Sequence, residues 1–138
     1  MITIEVKRRF SDLDPLGHIN NVAYHDYLQE ARMGLIRELD AVVNDEFAQI
    51  VVEQSIRHLK PLGFDPAPVC IDVGIADMAR TSYTVRYRMR DERGAVVAEA
   101  TTRLAVVDPI SGRPMRMPEW LKASLLAAGP FDELQTDA

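Results

Sequence analysis

Hydrophobic and polar positions alternate at the start of the chain, with Ile2, Ile4 and Val6 on one side and Thr3, Glu5 and Lys7 on the other. A period of two marks a half-buried strand. From Ser11 to Asn21 the alternation stops and Asp, Pro, Gly and Asn accumulate, which predicts an ordered loop. The period then lengthens. Tyr24, Tyr27, Leu28, Ala31, Leu35 and Leu39 fall three or four apart, while Asp26, Gln29, Arg32 and Arg37 lie off that stripe. This predicts one strong amphipathic helix over residues 21–39. Asn20 or Asn21 is its natural N-cap, because an Asn side chain can accept a bond from a first-turn N–H. Gly34 weakens that helix by about 1 kcal/mol relative to Ala. The compensation it implies is a close approach of the helix backbone to a sheet.

Four more strands follow. Ile50, Val52, Gln54 and Ile56 open one, and Lys60-Pro61-Leu62-Gly63 ends it. Val69, Ile71, Val73 and Ile75 form the next, with Cys70, Asp72 and Gly74 on its opposite face. Tyr83, Val85, Tyr87 and Met89 then face away from Thr84, Arg86, Arg88 and Arg90. Asp91-Glu92-Arg93-Gly94 reads as a hairpin turn with Gly at the position of positive φ. Ala95 to Val107 is apolar enough on both faces to be an interior strand. Pro118 to Leu126 suggests a short helix with Pro in its first turn. Helix and strands are segregated along the chain, so the expected class is α+β, an antiparallel five-stranded sheet wrapped around one long helix. One helix covers one face only; the other must meet solvent or a second subunit.

The 138 residues fit one domain over 1–138, with 47% hydrophobic residues to fill a core. Cys70 is the only cysteine, which excludes a disulfide framework and a cysteine-rich zinc site. Sixteen Lys and Arg against 21 Asp and Glu give a net charge of -5, so a nucleic-acid partner is not expected. The N-terminus lacks the build of a secretory signal. No apolar run approaches the ~20 residues of a membrane span. A cytoplasmic location, without membrane association, is therefore expected.

The chemistry-bearing stretch is Asp12-Leu13-Asp14-Pro15-Leu16-Gly17-His18-Ile19-Asn20-Asn21, which runs directly into the helix. Unpaired N–H groups at a helix N-terminus carry partial positive charge and hold anions. A carbonyl docked there has its developing charge stabilised, as in an oxyanion hole. Pro15 makes Asp14 extended and Gly17 lets the loop turn back, which allows a carboxylate to face the same carbonyl. There is no G-x-S-x-G, P-loop, G-x-G-x-x-G or H-E-x-x-H motif. The residues themselves read as acyl chemistry from a carboxylate and a helix N-terminus.

The pattern Asp12-x-Asp14-x-x-Gly17-His18-x-Asn20-Asn21-x-x-Tyr24, with Glu30-Ala31-Arg32 behind it, resembles the hotdog-fold acyl-CoA thioesterases of the 4-hydroxybenzoyl-CoA thioesterase type. The likeness extends to Lys60-Pro61-Leu62, Arg80-Thr81-Ser82, Val107-Asp108-Pro109 and Arg113-Pro114. Leu13-Asp14 followed by His18-Ile19-Asn20-Asn21 is also similar to plant acyl-carrier-protein thioesterases, which have an Asn where this chain has Leu16. The resemblance implies a hotdog domain, a homodimer or homotetramer with active sites at the dimer interface, and hydrolysis of an acyl-CoA without metal or cofactor. It places the catalytic carboxylate on Asp14, the oxyanion amide near Asn21, and His18 and Asn20 in polarising or orienting positions.

Each assignment has a plainer counterpart. Asp14 can simply bond its own backbone, as Asp before Pro often does. His18 can be a histidine bonded to a carbonyl. Asn20 and Asn21 can be caps, and Asp12 a turn former. Tyr24 and Tyr27 lie on the apolar stripe and can be core, while Tyr24 and Gly17 are also candidates for substrate contact. Glu30 is expected to pair with a strand residue, and Arg32 to be solvated or at a subunit contact. Arg80, Thr81 and Ser82 are candidates for the phosphates of coenzyme A, since Arg pairs with phosphate in bidentate fashion; Lys60 and Arg57 are weaker ones. The same fold also carries enoyl-thioester hydratases, and a non-catalytic acyl-thioester binding module is a third reading.

Overall fold

The alternation at the N-terminus becomes β1, Ile2–Val6, in the computed structural model, which describes residues 1–38 and 46–132. A single helical turn at Phe10–Asp12 leads into the loop. The helix α1 runs Asn21–Glu38; Leu39, where the periodicity places its end, lies outside the described residues. Then come β2 (Ala48–His58), β3 (Val69–Met78), β4 (Ser82–Arg90), β5 (Val96–Val107) and α2 (Glu119–Ala128). Pro118 sits just outside α2, at its N-cap, instead of in its first turn.

The five strands form one sheet in the order β1-β3-β4-β5-β2, with every pairing antiparallel. β5 is interior, flanked by β4 and β2, as its apolar faces predict. The apolar stripe of α1 is the core: Ala23, Tyr24, Tyr27, Leu28, Ala31 and Leu35 are all buried, against Val73, Val85 and Tyr87 of the sheet. α1 lies over β1 and β3. Gly34 makes that closeness possible, since a Cβ there would stand 2.7 Å from Ile4 Cδ1 on β1. At the β4–β5 turn Asp91 Oδ1 accepts from the amides of Arg93 and Ala95, and Gly94 takes φ +79°.

The outer face of the sheet is partly covered by the chain itself. The Phe131 amide donates to the Ile75 carbonyl (2.9 Å), and its backbone crosses Gly74 so closely that a Cβ there would stand 2.9 Å from Phe131 Cα. Beside it, buried Asp72 accepts from Arg88, Arg90 and Thr3 at 2.7–3.0 Å. β2 is different. It is an edge strand whose pairing slips between Val51 and Glu53, and Ile50, Val51 and Val52 are all exposed instead of alternating. No helix among the described residues is long and apolar enough to cross a membrane.

Two expectations for α1 do not hold. Arg32 is not solvated; it is buried and donates to the Tyr87 hydroxyl at 3.2 Å. Glu30 is exposed and bonds no strand residue among the described ones. Position 32 lies four residues after Leu28 and three before Leu35, so it shares their face and reaches β4, while position 30 faces away.

Candidate active site

The loop before α1 is held from within. Asn20 is the N-cap: its Oδ1 accepts from the Ala23 amide (2.9 Å), and its Nδ2 donates to the Asp12 carbonyl (2.8 Å). Asn20 thereby fixes the loop to the helix, while the amides of Asn21 and Val22 have no acceptor among the described residues. These are the N–H groups that a helix start offers to an anion. The Asp12 carboxylate accepts from the buried Tyr27 hydroxyl (2.7 Å) and from Arg9 Nε (2.9 Å). Burial alone would raise its pKa, but the bonds from Arg9 and Tyr27 outweigh that and hold it below the ordinary aspartate value. Burial and the neighbouring carboxylate push the Tyr27 phenol up. Asp12 is structural.

Asp14 makes the backbone bonds of its plainer reading. Its Oδ1 accepts from the amides of Leu16 (2.9 Å) and His18 (3.1 Å). The turn closes through Gly17, whose amide donates to the Asp14 carbonyl (3.0 Å) and whose φ is +79°. Oδ2 has no partner among the described residues. The carboxylate is half-buried in the wall of a cavity of about 330 Å³ that also touches His18, Asn21, Tyr24, His58 and Lys60. One oxygen is anchored and the other is open to a visitor.

The far wall comes from the end of β2. The Ile19 amide donates to the Leu62 carbonyl (2.7 Å) and His18 bridges Gly63, so the segment after His58 is stitched to the loop. Lys60 is exposed at the cavity edge. Tyr24 is buried, packed edge-on against His58 with ring centres 4.6 Å apart, and burial raises its pKa so that it is a neutral phenol. Asn20 and Gly17 shape the loop without touching the cavity. His58 had no local signal pointing to the site; only the stitching of two loops puts it there.

Arg80, Thr81 and Ser82 are elsewhere. They form the β3–β4 turn, where Arg80 accepts from the Met117 amide and Thr81 from that of Val106. The nine residues of β4 span about 27 Å at ~3.4 Å per residue. This puts the turn at the opposite end of the sheet from Asp14. Arg80 lines its own cavity of about 320 Å³ with Arg116, Glu119 and Lys122. Arg116 and Lys122 escaped the sequence reading. They arrive there because the Asp108 carboxylate accepts the amides of Ile110 and Ser111, which also keep its pKa below normal, and folds the chain back along β5. Among the described residues no group of three or more His, Cys, Asp or Glu is arranged to hold a metal.

Comparison with known proteins gives this geometry a context. No curated protein matches the chain by sequence. Among solved structures, the PA5185 protein of Pseudomonas aeruginosa superposes with a TM-score of 0.84 at 22% identity, covering 94% of this chain and 92% of that one. A thioesterase from Thermus thermophilus, solved with coenzyme A and zinc, gives 0.79 at 26% identity, covering 91% and 92%. The DHNA-CoA thioesterase of Staphylococcus aureus gives 0.80 at 18% identity, covering 91% and 90%. The sequence pattern of the Thioesterase-like superfamily matches residues 8–125, from just after β1 into α2. The chain belongs to that superfamily and is a thioesterase of the hotdog fold.

Proposed function

We propose that the protein hydrolyses an acyl-CoA thioester to the free acid and coenzyme A. The observation that carries this is the shared cavity of Asp14 and the α1 N-terminus, with one carboxylate oxygen and the Asn21 and Val22 amides unbonded. The thioester carbonyl oxygen docks on these amides, and its carbon faces Asp14. In one route the carboxylate takes a proton from water as the water oxygen bonds to the carbon. In the other, Asp14 itself attacks and water cleaves the resulting anhydride. In both, the charge passes to the carbonyl oxygen, which the helix N-terminus stabilises, and leaves with the thiolate of coenzyme A. One such donor is worth roughly 10²–10³-fold and the acid–base group roughly 10²–10⁴-fold. His18 and Lys60 stand at the cavity wall, placed to orient substrate, and Tyr24 closes it. The reaction uses only groups of the chain, with no metal or cofactor.

The cations at the other end of the sheet suit the phosphates of coenzyme A. Arg80, Arg116 and Lys122 bound one cavity, with Thr81 and Ser82 behind them. They can serve Asp14 only across two subunits. The open edge of β2, with exposed Ile50, Val51 and Val52, supports a homodimer through that strand. Antiparallel pairing of two such edges about a two-fold axis brings the Ser82 end of one sheet to the Asp14 end of the other. The test is thiol release from short, long and aromatic acyl-CoAs. Wild-type protein turns over at least one of them, and Asp14→Asn abolishes most of that turnover. Turnover that survives Asp14→Asn on every substrate would overturn the site. Loss of the conjugated absorbance of a crotonyl thioester without thiol release would replace hydrolysis by hydration.

A further inference from the structure

The backbone of the Asp14 loop is tied to the sheet at one place. Among the described residues, the backbone bonds of residues 11–20 stay within the loop, its lead-in and the start of α1, with one exception: the Ile19 amide donates to the Leu62 carbonyl (2.7 Å). A bridge between His18 and Gly63 lies beside it. His18 in turn is bonded twice to Asp14, its carbonyl accepting the Asp14 amide (2.8 Å) and its amide donating to Oδ1 (3.1 Å). Asp14 and His18 therefore take their place from α1 on one side and from Leu62 and Gly63 on the other.

The segment that carries Leu62 and Gly63 is fastened at both ends. At its start the amides of Leu59 and Lys60 donate to the Val97 carbonyl (2.8 and 3.2 Å). At its end stands Arg8, only 3% exposed. Arg8 Nη1 donates to the Gly63 carbonyl (2.8 Å), while Nε and Nη2 donate to the Ala67 carbonyl (3.3 and 3.0 Å). Nη2 also donates to Glu92 Oε2 (2.8 Å), in the β4–β5 turn, which supplies the countercharge. Among the described residues no other group donates to the Gly63 or Ala67 carbonyl. A buried ion pair yields little net stability, because desolvation offsets its attraction. What a guanidinium adds over an apolar side chain here is a rigid, planar fork that sets two carbonyls at once.

We propose that Arg8 is a positioning residue of the Asp14 site: by clamping Gly63 and Ala67 it sets where the wall of Lys60, Pro61 and Leu62 stands, and through Leu62 and Gly63 it sets where His18 and Asp14 stand. Arg8 does not line the cavity itself and acts only through these backbone links. Its side chain lies just ahead of the loop in sequence, yet its partners come from three distant stretches, at positions 63, 67 and 92. The proposal rests on the thioesterase reading of the site and adds a residue to it.

Two variants separate positioning from mere support of the fold. Arg8→Lys keeps a charge beside Glu92, but one ammonium cannot span Gly63 and Ala67. Glu92→Gln keeps both carbonyl bonds and removes only the countercharge. Both should lower the thermal midpoint. In thiol release, Arg8→Lys should lose about 10–10²-fold in kcat, the cost of a small misplacement at the reacting carbon. Its KM should stay near that of wild type, because the cations proposed for coenzyme A lie at the other end of the sheet. Glu92→Gln should keep a near-wild-type kcat. An unchanged kcat in folded Arg8→Lys, or an equal fall in both variants, overturns the assignment and leaves Arg8 to the fold alone. Proton exchange in the wild-type protein, followed by NMR, decides the matter even where Arg8→Lys does not fold. The Arg8 Nε proton and the Ile19 amide should open together, with one free energy and one urea dependence. An Ile19 amide that opens well before Arg8 would show a loop that moves free of the clamp, and overturn the proposal. If no thioester is hydrolysed at all, the hydrolase reading fails by itself, and the exchange measurement still judges the clamp.

Discussion

Asp72 and Asp14 are two aspartates of one small protein, held in opposite ways. Asp72 is 2% exposed and every lone-pair direction is spoken for, by Arg88, Arg90 and Thr3. Burial would raise its pKa, but these donors prevail and hold it below the usual aspartate value. Asp14 is half-buried, anchored through one oxygen by two backbone amides, and leaves the other to a cavity. A carboxylate whose bonds are all satisfied in the ground state stabilises the fold and has nothing to offer a substrate. One whose position is fixed but whose second oxygen is unbonded can act without rearrangement. The difference lies in the neighbours: rigid strands with paired cations for Asp72, a turn of backbone donors for Asp14.

The contrast predicts separable phenotypes. Asp14→Asn keeps the turn, because an Asn oxygen still accepts from the amides of Leu16 and His18. Thiol release should fall by about 10²–10⁴-fold while the thermal midpoint moves little. Asp72→Asn should do the reverse. Removing one partner of a buried ion network costs about 3–5 kcal/mol, since Arg88 loses its carboxylate inside the sheet face. Urea unfolding would measure it, with kcat of the surviving folded protein near wild type. A large stability loss in Asp14→Asn, or a large activity loss without a stability loss in Asp72→Asn, would erase the distinction.

Acid sharpens it further. Asp72 and Asp12, with Glu92 beside Arg8 and Asp108 in its turn, all have folded pKa values below their unfolded ones. The unfolded chain therefore binds protons first as pH falls, and stability present above about pH 4 is lost below it. Unfolding free energy measured from pH 6 to pH 2 should decline through that window. In Asp72→Asn the decline should be shallower, by the share that Asp72 contributes. An identical slope in both proteins would mean that the Asp72 network is not what acid dismantles.

How much of this was legible beforehand follows from the range of each interaction. The strands and α1 came from periods of two and 3.6, because burial on one face is a local pattern. The Asp14 turn and the Asn20 cap were legible because their partners lie within four residues. Arg32 was misread because the groups that receive it, Tyr87 and then Thr102, lie 55 and more residues away on strands whose register no single-strand pattern fixes. The same holds for His58 beside Tyr24 and for Arg116 beside Arg80. The slip at Val51 and Glu53 was hidden as well, since a bulge shifts facing without altering composition.

The smallest effect tests whether the proposed oxyanion site depends on how the helix is started. Asn20 bonds the Ala23 amide with one end of its side chain and the Asp12 carbonyl with the other. Asn20→Asp keeps the cap and even favours the helix dipole, but it replaces the side-chain donor to Asp12 with an acceptor, so the Asp12 carbonyl keeps only the Asn20 backbone amide (2.9 Å) and the loop is loosened while the helix start stays. Asn20→Ala removes both and costs about 1 kcal/mol. If the Asn21 and Val22 amides must be held in register with Asp14, then Asn20→Asp should lower kcat with little change in thermal midpoint, and Asn20→Ala should lower both. If only the helix dipole matters, Asn20→Asp should match the wild type in rate, and the Asp12–Asn20 tie would then serve the fold alone.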